Sequence, residues 1–395
     1  MSHFCLLDRK TLRTQREGTF KIYSRPFSLG VSTNRDSIVY DFNRQSLEGR
    51  VRHFCDDYNA EMERYQQRGR PADIDTFVNY EKIQWSSTLK NHLRSGVGAE
   101  FDRAKIRTSL YRPFTRMSFY YDSVLNDRPG HFQQLIPNAT TETENRVICV
   151  NQTAEKSFGC LVTNVIPNLV MCGGFGAATQ CFPYYVYNGD GVYNGDGSKR
   201  RDNITDWALQ QFRTQYLDEL ISKWDIFHYV YAVLHHPQYR EKYAANLKRE
   251  LPRMPFAPDF HEFVEAGARL AELHIGYEIQ PEYPLQRVES KDEKLNWRVE
   301  RMILSKDRTQ IVYNNFLTLG GIPLEVYEYC VGNRSALEWV IDQYRIINQE
   351  RSGIINDPNR ADDPEYIVHL IGKVIAVSLE TVRTVKSLPS FSVNS

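Results

Sequence analysis

Hydrophobic and polar positions divide this chain into three regimes. Between residues 43 and 71, Leu47, Val51, Phe54, Tyr58, Met62 and Tyr65 recur every three or four positions, the period of one helix face. Asn43 or Ser46 is placed to cap its start, and Gly69 with Pro71 ends it. Ahead of it, residues 20–23 and 38–42 read as two short strands around a turn-rich stretch containing Pro26, Gly30 and Asn34. Residues 73–110 are mixed, with a short amphipathic segment around Leu89 and Leu93. From 111 to 190 the pattern changes to short β-rich runs, at 117–121, 146–150, 158–163 and 181–187, punctuated by Asn, Gly, Pro and Asp.

After residue 204 the period turns helical again. A helix starts at Asp206, and Ser222 with Asp225 forms a capping-box entry to an apolar helix that stops at Pro237. Further helices are predicted over 239–251, 259–274, 335–346 and 364–386, with a small hairpin pairing 298–304 with 310–313. One local repeat interrupts the β-rich part: Val-Tyr-Asn-Gly-Asp-Gly occupies 186–191 and again 192–197. Asn-Gly and Asp-Gly favour tight turns, so the doublet reads as a lengthened hairpin loop. It ends in the basic triplet Lys199, Arg200, Arg201.

Composition bounds the function without naming it. The chain has 395 residues, enough for two or three domains, and 25% charged residues, which is ordinary globular usage. No apolar run approaches the roughly 18 residues that span a bilayer, and the N-terminus lacks a signal peptide's apolar region, so no membrane partner is expected. Seven cysteines without a CxxC pair suggest reduced thiols and a cytoplasmic location. The 49 basic and 49 acidic residues cancel, but unevenly. Residues 1–130 hold 22 Lys and Arg against 16 Asp and Glu, whereas residues 261–395 hold 15 against 20. A basic first third permits a polyanionic partner.

Enzyme motifs are missing from the sequence. There is no GxxxxGK[ST] loop, no GxSxG elbow, no HExxH and no Cys/His zinc spacing. The glycine cluster at 173–176 lacks the helix and acidic residue of a phosphate cradle and reads as a loop. His228, His235 and His236 lie on one helix, and His228 and His235 share a face. A metal-dependent hydrolase built on them is one alternative; aromatic and histidine packing is the structural one. Residues 105–116 interleave Lys105, Arg107, Arg112 and Arg116 with Tyr111 and Phe114, a pattern suited either to phosphates or to a solvated strand. Thr33, Asn34 and Arg35 lie between the two predicted strands, where they can touch DNA or close a turn on themselves.

Several collinear strings then carry a resemblance. They are residues 20–24 with 31–36, 107–114, 181–187, 202–206, 225–237, 243–255 and 332–344. Together they resemble the C-terminal specificity region of Type ISP restriction–modification enzymes, over roughly residues 19–386. The resemblance implies an α+β protein with a β-rich target-recognition domain and a helical C-terminal part. It divides the chain into a methyltransferase tail with a connecting helix (1–105), the target-recognition domain (106–203) and a helical scaffold with a small hairpin (204–395).

The resemblance also implies function. Such enzymes join a nuclease, an ATP-driven motor, an adenine-N6 methyltransferase and a domain that reads double-stranded DNA. The family's S-adenosylmethionine and ATP/Mg sites belong to the other portions, since the AdoMet-binding and Asn-Pro-Pro-Tyr motifs are not in this sequence. No cofactor and no catalysis are therefore expected of this chain, which resembles the end of a larger polypeptide. The expected DNA contacts are Arg107, Arg112, Arg116, Lys199, Arg200, Arg201, Thr33, Asn34 and Arg35. The expected partners are double-stranded DNA and the methyltransferase and helicase–nuclease portions of the same system. A second alternative is a remnant that folds and docks to a separate methyltransferase half but is inactive alone. The doubled hexapeptide departs from the family's pattern at the basic loop.

Overall fold

The computed structural model describes the backbone at 4–5 and residues 27–151, 157–172, 178–187, 200–248, 251–349 and 352–390. Two four-stranded sheets form its centre. In the first, Ser28–Leu29, Thr179–Pro183, Val147–Asn151 and Cys160–Thr163 lie side by side, all antiparallel. In the second, the hairpin Ile106–Arg112 and Thr115–Tyr120 is flanked by Tyr40–Asp41 on one edge and, in parallel, by Ile166–Pro167 on the other. Tyr40–Asp41 thus joins a sheet whose remaining strands come from beyond residue 105.

The near-continuous apolar runs at 147–150 and 160–162 have a structural reason: both faces of the first sheet are covered. Val147, Cys149 and Leu161 face one core, while Ile148, Val150, Cys160 and Val162 face another. The first core is closed by the long helix Arg44–Gln67, whose buried Leu47, Val51, Phe54, Tyr58 and Tyr65 are the apolar stripe read from the sequence. Asn43 caps it by accepting the Ser46 N–H at 2.9 Å. The second core is closed by Lys223–His235 and Phe260–Ile275. These two helices touch at Gly267, where a Cβ would fall 1.9 Å from the His228 carbonyl oxygen. The predicted capping box is present, with the Ser222 and Asp225 side chains each bonding the other's backbone N–H. The last helix, Tyr366–Lys386, buries one face along most of its length against the first core.

Three elements differ from the sequence pattern. Residues 38–42 are not one strand: a helical turn, Asp36–Val39, leads into Tyr40–Asp41. The buried Arg35 begins that turn, its carbonyl accepting the Ile38 N–H. Residues 239–251 form two short helices, Pro237–Lys242 and Ala244–Leu247, and the Tyr239 hydroxyl reaches back to the Arg253 carbonyl at 2.8 Å. The predicted hairpin is part of a four-stranded sheet ordered Gln286–Glu289, Leu317–Gly320, Ile311–Val312, Ile303–Leu304. Gln286–Glu289 carries no strand signal in the sequence because it is exposed throughout and its single apolar residue is Val288. Residues 20–23, the glycine cluster and most of the doubled hexapeptide lie outside the described residues. Among the described residues, no helix is long and apolar enough to cross a membrane.

Candidate nucleic-acid interface

The basic hairpin 106–120 is tied into the protein by its own arginines. Arg107 donates to Glu142 at 2.9 and 2.5 Å and to the carbonyl of Pro137. Burial pushes the Glu142 carboxyl up against the opposing pull of Arg107. Arg112 lies over the Tyr111 ring and donates to the Tyr111 carbonyl and to Asn168 Oδ1. Arg116 pairs with Glu278 at 2.5 Å and donates to the Ile275 carbonyl, linking the sheet to the C-terminal helices. Burial works against its charge, but Tyr277 and Glu278 more than offset this and raise its pKa. Between Arg112 and Arg116 the chain turns through Phe114 at φ 57°, a left-handed conformation that bulky residues seldom adopt. Its fully buried ring packs edge-on against His274, Tyr277 and Tyr329, which holds the strained turn in place.

The three predicted histidines face three different ways. His228 stacks on Trp224, His235 Nδ1 bonds the Tyr231 carbonyl at 2.9 Å, and His236 Nε2 bonds the Pro389 carbonyl at 3.1 Å. Among the described residues, no cluster of three His, Cys, Asp or Glu side chains could hold a metal ion. His274 receives the Tyr231 hydroxyl at 2.6 Å on Nδ1 and bonds Thr381 through Nε2 at 2.9 Å. Burial, with Arg240 nearby, lowers its pKa to about 3.

A groove of about 750 Å³ opens beside the strand Ser28–Leu29. Ser28, Leu29 and Gly30 form one wall, Arg128, Gly130 and His131 another, and Leu169, Ala178 and Arg201 close it. Among the described residues, no acidic side chain lines it. Its walls are joined backbone to backbone: Ser32 and Arg128 exchange N–H···O bonds of 3.0 and 2.8 Å, and the His131 N–H donates to Ser28 Oγ at 3.0 Å. Gly130 is required here. It has φ +67°, and a Cβ would lie 2.6 Å from Ser28 Oγ. Arg128 is 78% exposed, and its nearest carboxylate, Asp127, is 4.0 Å away. Ala178 and Arg201 lie next in sequence to the chain segments 173–177 and 188–199, which lie outside the described residues.

One of the remaining predicted contacts reaches this groove. Arg201 lines it. Arg200 pairs with Glu144 at 2.5 Å and lies over the Tyr185 ring. Lys199 lies outside the described residues. Asn34 is exposed, whereas Thr33 and Arg35 are each 1% exposed. Burial pulls the Arg35 guanidinium down to about 10, against the attraction of Asp127. Sequence reasoning missed Arg128 and His131. The only signal was a Pro-Gly turn flanked by cationic side chains, and nothing in the sequence pairs that turn with Ser32.

A family model for the Type ISP C-terminal specificity domain matches residues 22–370, and the chain belongs to that family. No curated protein matches it. Several solved structures are similar, among them these three. The Type ISP restriction–modification enzyme LlaGI, a nuclease-deletion mutant in complex with a DNA substrate mimic, is 29% identical with a TM-score of 0.81 over 98% of this chain and 35% of its own. DrdV, in a complex with DNA, is 32% identical with a TM-score of 0.82 over 99% and 38%. LlaBIII, an ATP-dependent Type ISP restriction–modification enzyme bound to DNA, is 28% identical with a TM-score of 0.82 over 99% and 24%. The chain thus spans between about a quarter and two fifths of the solved chains it matches.

Proposed function

We propose that this chain reads a specific double-stranded DNA sequence as the specificity part of a Type ISP restriction–modification system. The observation that carries the reading is the groove, where Arg128, His131 and Arg201 present cationic or hydrogen-bonding groups with no carboxylate among the described lining residues. Phosphate contacts of this kind position a protein on the duplex, and side chains reaching base edges then supply specificity. DNA-bound solved relatives support the same reading.

On this reading the chain binds and does not itself methylate, hydrolyse ATP or cleave. S-adenosylmethionine and ATP with Mg²⁺ would be held by the methyltransferase and helicase–nuclease portions, which are its partners along with DNA. Arg107, Arg112 and Arg116 act in our proposal as ties that shape the interface, and Arg128, His131 and Arg201 as the groups facing DNA.

The test is equilibrium binding to duplex DNA across a salt series. Each phosphate contact contributes about 0.9 to the slope of log affinity against log salt. Neutralising Arg128 and Arg201 together should lower the slope by about 2 and weaken binding to all sequences alike. An unchanged slope would remove the groove from the interface.

A further inference from the structure

The segment entering the groove wall is held more firmly than a surface loop requires. Val31 donates its N–H to the Pro167 carbonyl at 2.9 Å and accepts from Leu169 at 2.8 Å, while Ser32 is paired with Arg128 on the other side. Thr33 is buried and its hydroxyl bonds Asp36, which also receives the Tyr111 hydroxyl at 3.0 Å. Arg35 then turns inward. Its guanidinium donates to the carbonyls of Leu125 and Thr33 and to Ser86 Oγ at 3.1 Å. Ser86 is itself the cap of the helix Ser87–Ser95, accepting the Leu89 N–H at 3.2 Å.

Between these two buried neighbours only Asn34 is exposed. It sits at φ +55°, in the left-handed region that glycine would occupy with less strain. An asparagine amide offers one acceptor and two donors in a fixed plane. That is the pattern which pairs bidentately with N6 and N7 of adenine in the major groove. A buried arginine braced by carbonyls and a helix cap fixes the backbone that carries this amide, so the side chain is presented to solvent from a set position.

We propose that Asn34 is a specificity-determining residue that reads one A·T base pair, and that Arg35 is its positioning residue, making no DNA contact itself. This rests on the DNA-recognition reading above. It replaces a run of three equivalent DNA contacts at 33–35 with one reader and its internal brace.

The test uses the intact chain in a selection from a randomised duplex library, followed by competition with every single-base-pair variant of the enriched site. Asn34→Gly keeps the left-handed backbone and removes only the amide. The expected result is loss of discrimination at one A·T pair, where the parent protein discriminates by at least about fivefold. Discrimination elsewhere, the salt slope and the thermal midpoint should not change. Arg35→Lys should relax the same pair, and the double variant should relax it no further; a merely structural role would weaken all positions together. Asn34→Gly retaining discrimination at every pair would overturn the inference while leaving the DNA reading intact. A parent protein that enriches no sequence would overturn the DNA reading, and this inference with it.

Discussion

Two grooves of similar size carry opposite charge. The one beside Ser28 and Arg128 has a volume of about 750 Å³ and, among the described residues, no acidic lining side chain. The other, about 860 Å³, lies between the helices Phe260–Ile275 and Tyr366–Lys386. Its lining includes Glu262, Glu265, Glu272 and Glu380 against Arg269 and Arg383, and both arginines are bonded to Glu380. A net charge of zero therefore conceals a molecule with a face suited to polyanions and a face that repels them. Cations committed to ion pairs inside the protein contribute little to such a field; those left facing solvent contribute most.

The opposition persists only while the sheet and the C-terminal helices keep one relative geometry, and the fully buried Phe114 ring joins them through His274 and Tyr277. Phe114→Ala should destabilise the protein by about 4 kcal/mol, from lost burial and the cavity left behind, measured by denaturant unfolding. A cost under about 1 kcal/mol would mean the hairpin turn is not the anchor.

Acid should act through the helical side of the comparison. His274 is held neutral with a folded pKa of about 3, against about 6.5 in the unfolded chain. The unfolded state therefore binds more protons between these values, and stability falls as pH drops below about 6.5. The contribution is fully present above that pH. His235 is shifted in the same direction by burial. Between pH 7 and 5 the loss through His274 alone should be about 2 kcal/mol, and His274→Gln should remove that share while leaving the part carried by His235. An equally steep profile in that variant would assign the dependence to other groups.

Arg116→Ala removes the ion pair that crosses from sheet to helices. Both partners are about one-fifth exposed, so solvent moderates the effect and the expected cost is roughly 1.5 kcal/mol. The DNA salt slope should stay where it was; a fall of about 1 would return Arg116 to the DNA surface. The smallest effect is expected at the acidic groove. Replacing Glu262, Glu265 and Glu272 with Gln should change stability by less than about 0.5 kcal/mol.

Much of the fold was legible in the sequence, and the reason is local. The helix Arg44–Gln67 showed itself by its stripe and Asn43, and Lys223–His235 by its capping box and Pro237. Sheet pairing was not legible, because Tyr40–Asp41 finds its partner near residue 118 and Ser28–Leu29 near residue 180. The candidate site depends on the same long-range pairings. Arg201 was visible as part of a basic triplet, whereas Arg128 became a candidate only through its bridge to Ser32. The arginines at 107, 112 and 116 looked equivalent to it in sequence. Their partners, Glu142, Asn168 and Glu278, lie between 35 and 162 residues away.

The central claim is that the groove beside Ser28 and Arg128 meets DNA and the acidic one does not. The direct test compares salt slopes of duplex binding for the parent chain, for Arg128→Ala with Arg201→Ala, and for the triple Glu→Gln variant of the acidic groove. We predict a slope lower by about 2 for the first variant and no change for the second. Equal slopes for all three, or a change only in the acidic-groove variant, would contradict the account.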